Sequence, residues 1–406
     1  MRKFDFKRLA VILLIPLLVL QFCVISGFAA ESDTAAPVSD EIEDTAKDNN
    51  SESVSLDLNC KSAILIEATT GRVLYEQNAD EALPPASVTK VMTLLLVMEA
   101  IEQGRIKLDD TVTASAHAAS MGGSQIYLKE GEQMSVEDMI KSVVIASAND
   151  AACALAEHIS GSEEAFVKAM NERAAALGMK NTTFENTNGL DDTAENHLTS
   201  ARDIAIMSAE LIKYPKILEY SSIWMDTVRN GEFGLTNTNR LVRFYKGCTG
   251  LKTGSTAKAG FCVSATAERD GMKLVCVIMG AESRDIRNAA AASLLDWGFA
   301  NYGVYTHKGE KLDGVKLMGG TKSSVSAEYG DFSCVVDKTE ISKIEYKLDL
   351  PEKIAAPVKK GDVIGSISFT LNGQEIGKCD VTVAEDVQRI GFFELWYRIL
   401  AKFLLK

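Results

Sequence analysis

The chain has 406 residues, of which 46% are hydrophobic and 24% charged, a globular composition long enough for two domains of roughly 100–200 residues each. Its formal net charge is −13, from 43 basic and 56 acidic side chains, which argues against a nucleic-acid-binding protein. The four histidines show none of the ligand spacings of a zinc enzyme, so we expect catalysis to need neither a metal nor an organic cofactor.

Residues 1–30 have the order of a secretory signal peptide. Arg2, Lys3, Lys7 and Arg8 come first, the apolar run 9–20 follows, and small residues stand at 26, 27, 29 and 30. We therefore expect export and cleavage of this leader. An uncleaved membrane anchor is the alternative, because apolar character continues weakly to residue 30.

Residues 31–57 are predicted to be a disordered linker, since nine acidic residues stand there against one lysine and few large aliphatic residues are available to form a core. The seven cysteines beyond it are evenly scattered, which favours free buried thiols over a disulfide framework, although a single bridge stays possible.

The hydrophobic pattern of residues 58–300 predicts an α+β domain, in which helices cover a largely antiparallel sheet and a helical insertion covers one end. The predicted strands are 62–67, 71–75, 260–267 and 272–280, and the predicted helices are 87–101, 135–146, 162–177, 200–212 and 285–299. Residues 301–385 alternate in the manner of strands and predict a small all-β domain, with 362–371 and 376–383 paired through an Asn372-Gly373 turn.

The first chemical motif is Ser87-Val88-Thr89-Lys90, at the start of the first long helix. Residues three apart share a helix face, so the Ser87 hydroxyl and the Lys90 amine project side by side. The helix start also offers unpaired backbone amides that suit a developing oxyanion. A second Ser-x-x-Lys, at 255–258, lies on a Gly-flanked segment leading into a strand and is interpreted as a coincidence.

Two further motifs bring polar side chains close together in the chain. Ser147-Ala148-Asn149 follows a predicted helix, and we expect an exposed turn that points hydroxyl and amide into one cleft, with simple helix capping as the alternative. Lys252-Thr253-Gly254 precedes the strand pair, and in a strand Lys252 and Gly254 would share one face. The alternative interpretation is that Lys252 is a solvated surface lysine without a role in the site.

In this order the three motifs make the active-serine pattern of penicillin-binding proteins and class A β-lactamases. Their flanking residues resemble those of the serine-type D-alanyl-D-alanine carboxypeptidases, the low-molecular-mass penicillin-binding proteins. The resemblance rests on 85–90, 146–151, 188–190, 197–203 and 250–254, and it covers about 58–300, more loosely 301–385.

The resemblance implies a penicillin-binding, β-lactamase-like catalytic domain that removes the terminal D-alanine from peptidoglycan pentapeptide stems. Ser87 is then the nucleophile that forms the acyl-enzyme and reacts covalently with β-lactam antibiotics, and Lys90 is its proton acceptor. Ser147 relays the proton and Asn149 holds the substrate amide. Lys252, Thr253 and Gly254 bind the substrate, and the backbone amides of Ser87 and Ser255 form the oxyanion hole.

Two rival functions share part of this pattern. A β-lactamase needs a deacylating glutamate, for which Glu195 is a superficial candidate, although we interpret it as part of the element around His197 that precedes a helix. A non-catalytic penicillin sensor is the other rival, but no effector domain is apparent.

Residues 386–406 are predicted to form an amphipathic helix that holds the exported enzyme on the outer face of the bacterial cytoplasmic membrane. Acidic or basic side chains recur every fourth residue, at 394, 398, 402 and 406, so they form one narrow stripe on an otherwise apolar helix. Docking of this helix on the β domain is the alternative.

Overall fold

The computed structural model describes residues 56–190 and 194–404, and these belong to one compact unit. The predicted signal peptide (1–30) and nearly all of the predicted linker (31–57) lie outside the described residues.

A five-stranded antiparallel sheet, in the order β2-β1-β9-β8-β7, forms the centre of the N-terminal part. Its strands are β1 (Ser62–Glu67), β2 (Val73–Gln77), β7 (Cys248–Thr256), β8 (Gly260–Arg269) and β9 (Met272–Ala281). Side chains alternate across the sheet, so Ile64 and Val275 enter one buried core while Leu65 and Leu274 enter another on the opposite face. Burial on both faces explains why β1 and β9 are apolar along most of their length.

Helices cover both faces of the sheet. They are α1 (Lys90–Glu102), α2 (Ala116–Ala119), α3 (Val136–Ile145), α4 (Asn149–Ser160), α5 (Glu163–Ala176), α6 (Ala201–Leu211), α7 (Pro215–Ser221), α8 (Leu241–Phe244) and α9 (Arg284–Asn301). Helix α9 packs on β9 from one side and α6 from the other, where α1 packs against α6. Two short hairpins complete this part: β3 (Thr111–Thr113) with β4 (Gln133–Ser135), and β5 (Met225–Val228) with β6 (Phe233–Thr236).

Serine caps determine where several helices begin. The Ser135 hydroxyl accepts a hydrogen bond from the Asp138 amide, and the Ser200 hydroxyl accepts one from the Asp203 amide. Each bond satisfies an amide that the first turn leaves unpaired. Ser135 and Ser200 stand at the starts of the predicted helices 135–146 and 200–212, so these helices begin where the sequence predicts.

The C-terminal part is all-β. Its strands are β10 (Tyr302–His307), β11 (Lys311–Met318), β12 (Ser324–Glu328), β13 (Phe332–Asp337), β14 (Ile344–Asp349), β15 (Lys353–Ala355), β16 (Val363–Leu371) and β17 (Gln374–Val383). Six of them form a sheet in the order β14-β16-β17-β12-β11-β15, whereas β10 pairs with β13. Phe369, Val381 and Val325 lie in its core. The predicted α+β fold class, with an all-β C-terminal domain, is confirmed.

The C-terminal helix is shorter than predicted. Helix α10 spans Phe392–Leu404, so it begins six residues after the predicted start at 386. The preceding residues instead extend the β structure: the Val387 amide donates to the Val358 carbonyl, and the Ile390 amide donates to the Gly319 carbonyl. These hydrogen bonds hold the backbone extended, and that excludes a helix before Gly391. None of the helices in the described part of the chain is long and apolar enough to cross a membrane.

The seven cysteines of the described residues are all free, which agrees with the expectation of unpaired thiols.

Candidate active site

The Ser87–Lys90 pair forms at a 3₁₀ turn rather than within the α-helix that the spacing predicted. The turn covers Ala86–Thr89, and α1 follows directly. A 3₁₀ turn has three residues per turn, so side chains i and i+3 lie directly above one another. Lys90 Nζ accordingly lies 2.9 Å from Ser87 Oγ, and it also donates to the Asn188 carbonyl at 2.7 Å. The Asn188 carbonyl is thus a second partner that orients the Lys90 amine toward the Ser87 hydroxyl.

The close approach to Asn188 depends on a glycine. Gly189 has φ +83°, and a Cβ built on it would lie 1.9 Å from the Ala86 carbonyl oxygen. Only glycine allows that contact, because any side chain would collide with backbone. Ala86 itself has φ +48°, a left-handed conformation that costs a non-glycine residue about 1–3 kcal/mol. The surrounding contacts therefore hold the turn before Ser87 in a strained shape.

Lys90 is fully buried, and this changes its protonation. Burial and the nearby charge of Lys252 lower the pKa of Lys90 well below its usual value, while the carboxylate of Asp150 acts in the opposite direction. A neutral amine near neutral pH is a base that can take the proton of Ser87.

Ser147 and Asn149 lie in the same cleft but are not on an exposed turn as predicted. Both are buried, at 4% and 2% exposure, because Asn149 begins α4 beneath the 120–128 segment. The Asn149 side-chain amide donates to the Gly122 carbonyl at 2.7 Å. Its Oδ1 atom is buried and accepts no hydrogen bond from any described residue. An unpaired buried acceptor is costly unless a ligand supplies the donor.

Strand β7 brings the third motif to this cleft. Lys252 is only 1% exposed, so it is not a solvated surface lysine, and its Nζ donates to Ser147 Oγ at 2.9 Å. A Cβ built on Gly254 would lie 2.7 Å from the Ser87 backbone nitrogen, so this glycine lets the edge strand pass against the nucleophile's turn. The neighbouring Thr253 hydroxyl donates to the Thr238 hydroxyl at 2.8 Å.

The two backbone amides that the resemblance assigns to the oxyanion hole belong to Ser87 and Ser255. Ser255 follows the glycine that touches the Ser87 backbone nitrogen, so the two residues lie on neighbouring backbones. Ser87, Lys90, Ser147, Lys252 and Gly254 are thus linked by side-chain hydrogen bonds and close backbone packing, with Asn149 two residues from Ser147.

A second cation beside Lys252 was missed by sequence reasoning. Arg287, on α9, is 3% exposed and lies near enough for its charge to lower the pKa of Lys252. Burial is the larger cause, and together they bring the pKa of Lys252 to about 7. No local motif marks Arg287, because only the packing of α9 on β8 brings it to the lysine.

The residues around Glu195 do not form a deacylating site. Glu195 is exposed, and its backbone carbonyl accepts a hydrogen bond from Lys258. His197 is buried and lies 2.7 Å from the Thr89 hydroxyl, while Thr199 pairs with Leu83 just before the nucleophile's turn. This element supports the turn that carries Ser87, and it precedes helix α6, as the sequence interpretation expected.

A serine whose hydroxyl meets a buried, low-pKa lysine, on a five-stranded antiparallel sheet flanked by helices, defines an active-serine hydrolase of the penicillin-binding fold. Comparison with known proteins identifies the family within this class. Residues 47–283 match the D-alanyl-D-alanine carboxypeptidase family, and residues 304–389 match the C-terminal domain of penicillin-binding protein 5. The chain belongs to the D-alanyl-D-alanine carboxypeptidase family, whose members are serine peptidases.

Three similar proteins illustrate the match. The D-alanyl-D-alanine carboxypeptidase DacF of Bacillus subtilis is 40% identical over 362 residues, which are 87% of this chain and 92% of that protein. Penicillin-binding protein 5 of Haemophilus influenzae superimposes with a TM-score of 0.70 at 32% identity, covering 82% of this chain and 99% of that one. Penicillin-binding protein D2 of Listeria monocytogenes, solved in its ampicillin-bound form, gives a TM-score of 0.56 at 33% identity, covering 60% of this chain and 99% of that one.

Proposed function

We propose that Ser87 attacks the peptide carbonyl between the last two D-alanines of a peptidoglycan stem and releases the terminal D-alanine. The observation that carries this proposal is the 2.9 Å contact between Ser87 Oγ and the buried amine of Lys90. As the Oγ–carbon bond forms, the serine proton passes to Lys90 Nζ. The amides of Ser87 and Ser255 stabilise the negative charge on the carbonyl oxygen.

The leaving amine needs a proton when the carbon–nitrogen bond breaks. Ser147 is the proposed relay, because its hydroxyl lies in the cleft and accepts a hydrogen bond from Lys252. The unpaired Oδ1 of Asn149 supplies an acceptor for a substrate N–H. Water then attacks the ester carbonyl and gives one proton to Lys90 Nζ. Lys90 passes that proton to Ser87 Oγ as the ester carbon–oxygen bond breaks and the shortened stem leaves.

The terminal carboxylate of the substrate is proposed to bind at Lys252 and Thr253. A free carboxylate beside the Lys252 ammonium forms a charge-assisted hydrogen bond, which is about twice as strong as a neutral one. Arg287 adds a second positive charge behind that lysine. Two cations at this point favour a substrate with a free terminal acid, as an exopeptidase requires.

A β-lactam ring presents a strained amide and a carboxylate in the same relation, so we propose that penicillins acylate Ser87. The ampicillin-bound form of the Listeria monocytogenes protein supports this proposal by similarity.

One assay set separates the carboxypeptidase from its rivals. The enzyme should release D-alanine from a pentapeptide with turnover and hydrolyse penicillin only slowly. A β-lactamase would hydrolyse penicillin rapidly, and a sensor would be acylated without releasing D-alanine. Either of these results would overturn the proposal.

We further propose that residues 1–30 direct export. The remaining chain then consists of an acidic disordered linker (31–57), a catalytic domain (58–300), a small β domain (301–385) and a tail. The basic n-region, the apolar run and the small residues of the leader support export. The family matches, which end at 283 and begin again at 304, support a division near residue 300.

Helix α10 is proposed to bind the outer face of the cytoplasmic membrane without spanning it. Its aromatic residues are exposed, with Phe393 at 84%, Tyr397 at 72% and Phe403 at 80%. Arg398 is held by Glu394 at 2.7 Å on the polar side. Docking on the β domain would cover the aromatic side chains, whereas an interfacial position buries them in lipid and lets the basic residues meet anionic headgroups.

A further inference from the structure

A second cluster of metal-ligating side chains lies among helices α2, α4 and α5, separate from the serine site. It comprises His117 on α2, Cys153 and Glu157 on α4, and Glu163 at the start of α5. One ligand atom each of His117, Cys153 and Glu157 lie within 4.8 Å of one another. Glu163 Oε2 lies 2.7 Å from His117 Nε2 and 3.8 Å from Cys153 Sγ. Three potential ligands from two helices therefore converge on one point, and Glu163 from a third helix contacts two of them.

The placement of these residues is unusual for a packing cluster. Cys153 and Glu157 are four residues apart on α4, so they share one helix face. Cys153 is fully buried at the edge of the apolar core, yet its thiol also contacts the Glu163 carboxylate at 3.8 Å. Within residues 56–190 and 194–404, His117 is the only basic side chain within ion-pair distance of Glu163, and Glu157 has none. The cluster thus holds two carboxylates with one histidine to balance them.

We propose that this cluster is a structural zinc site, in which Zn²⁺ is bound by His117 Nε2, Cys153 Sγ and one carboxylate oxygen each of Glu157 and Glu163. Imidazole, thiolate and carboxylate are the ligands of zinc, whereas calcium and magnesium prefer oxygen alone. Binding replaces the S–H proton of Cys153, which passes to solvent, and leaves the remaining ring proton of His117 on Nδ1.

The geometry needs only a small adjustment. Tetrahedral zinc with bonds of about 2.0–2.3 Å separates its ligand atoms by about 3.3–3.8 Å. The His117 side chain is 52% exposed and can turn from its 2.7 Å contact with Glu163 to admit the ion. Ser115 donates to Glu157 Oε2 at 2.6 Å and orients that carboxylate, as outer-sphere partners of metal ligands do.

The site connects to the catalytic cleft through Glu163. Its Oε1 atom accepts hydrogen bonds from the Thr187 amide at 3.1 Å and the Thr187 hydroxyl at 2.6 Å. The next residue is Asn188, whose carbonyl accepts the hydrogen bond from Lys90. A metal that fixes Glu163 therefore stabilises the segment that aims Lys90, and takes no part in the reaction itself.

The test uses the purified protein stripped with a chelator and then reloaded with Zn²⁺ or Co²⁺. We expect one tightly held metal per chain, a rise in Tm with zinc, and a cobalt–thiolate charge-transfer absorption. The variant C153S should lose that absorption. Substoichiometric metal after dialysis, or an unchanged cobalt spectrum in C153S, would overturn the proposal.

H117Q tests the histidine ligand at an exposed position, where folding is not at risk. We expect its zinc Kd to rise by more than the roughly 10–100-fold that loss of an outer-sphere partner costs. H158Q, an exposed histidine on the same α4, and C379S, a cysteine of the C-terminal sheet, are the matched controls and should bind zinc as the parent does. Equal zinc affinity in H117Q and H158Q would show that the histidine is not a ligand and overturn the assignment.

Discussion

Lys252 Nζ donates a hydrogen bond to Ser147 Oγ at 2.9 Å, between residues that lie 105 positions apart in the chain. This contact joins the edge strand β7 to the turn before α4. It also brings a charge near Lys90, whose pKa it lowers. We therefore expect Lys252 to affect the proposed base, the proposed proton relay and the binding of the substrate's carboxylate.

Ser87→Ala should abolish D-alanine release and covalent labelling by fluorescent penicillin, lowering kcat by roughly 10⁴-fold or more, because no other hydroxyl is hydrogen-bonded to Lys90 among the described residues. Ser255→Ala is the matched control, since it removes the serine of the second Ser-x-x-Lys and keeps the backbone amide. Loss of labelling in Ser255→Ala, with labelling retained in Ser87→Ala, would contradict the choice of nucleophile.

Lys252→Ala should damage cleavage of peptides that end in a free acid far more than cleavage of the same peptides ending in an amide. Truncating one partner of a buried charge pair costs about 2–5 kcal/mol, which corresponds to a loss of roughly 30-fold or more in kcat/KM. Steady-state kinetics on the two peptides measure the difference. Equal losses on both would remove the carboxylate role and leave Lys252 as a general electrostatic contributor.

The pH profile of kcat/KM should be bell-shaped for the free-acid peptide. Lys252, with a pKa of about 7, is charged below that pH and neutral above it, so binding of the carboxylate weakens as the pH rises through about 7. We assign the acid limb to Lys90, which must be neutral to act as a base and whose lowered pKa moves that limb to lower pH.

Two comparisons test that assignment. Lys252→Arg should lose the alkaline limb, because a guanidinium stays charged in this range, and the amide-ended peptide should lack this limb in the parent enzyme. If the pH profiles of both peptides showed the alkaline limb, that limb would belong to a group other than Lys252.

Gly189→Ala should slow penicillin acylation by misplacing the Asn188 carbonyl that aims Lys90. The new methyl group would lie 1.9 Å from the Ala86 carbonyl oxygen, so the backbone must shift. Gly161→Ala is a matched control, because Gly161 has the same φ of +83° with nothing within 4 Å. Both variants carry a left-handed alanine, at about 1–3 kcal/mol of stability, but only Gly189→Ala should lose activity. If Gly189→Ala and Gly161→Ala lost acylation to the same extent, the loss would reflect lower folding stability and not a misplaced Asn188 carbonyl.

Deletion of 392–406 should leave D-alanine release in solution nearly unchanged and abolish co-sedimentation with vesicles of anionic lipid. The cut is made at Phe392 because Val387 and Ile390 hydrogen-bond to the β domain, so an earlier cut would damage it. Sedimentation that persists after the deletion would exclude the helix as the anchor.

A gentler variant keeps the helix and removes its aromatic contact. Phe393→Ser with Phe403→Ser should weaken vesicle binding, since both side chains are at least 80% exposed. Tyr346→Ser, at an aromatic residue 58% exposed on β14, is the matched control and should bind as the parent does. Similar losses in both proteins would indicate non-specific adsorption.

The sequence by itself determined the local features of this protein. Strand β1, the long helices with their serine caps, and the hairpin of β8 and β9 follow from hydrophobic period and turn residues, which act within a few positions of the chain. The Ser87–Lys90 contact was predictable for the same reason, because residues three apart meet in any tight right-handed turn. The order of the three motifs indicated the active-serine pattern, and the residues that flank them indicated the family.

Only the tertiary structure decided how these motifs act together. Burial lowers the pKa of both lysines, and burial depends on elements packed from distant parts of the chain. Arg287 reaches Lys252 because α9 packs on the sheet, and no spacing in the sequence encodes that contact. The helix at the C-terminus begins late because Val387 finds a backbone partner in Val358, and a long-range hydrogen bond there outweighs the local preference of residues 386–391 for a helix.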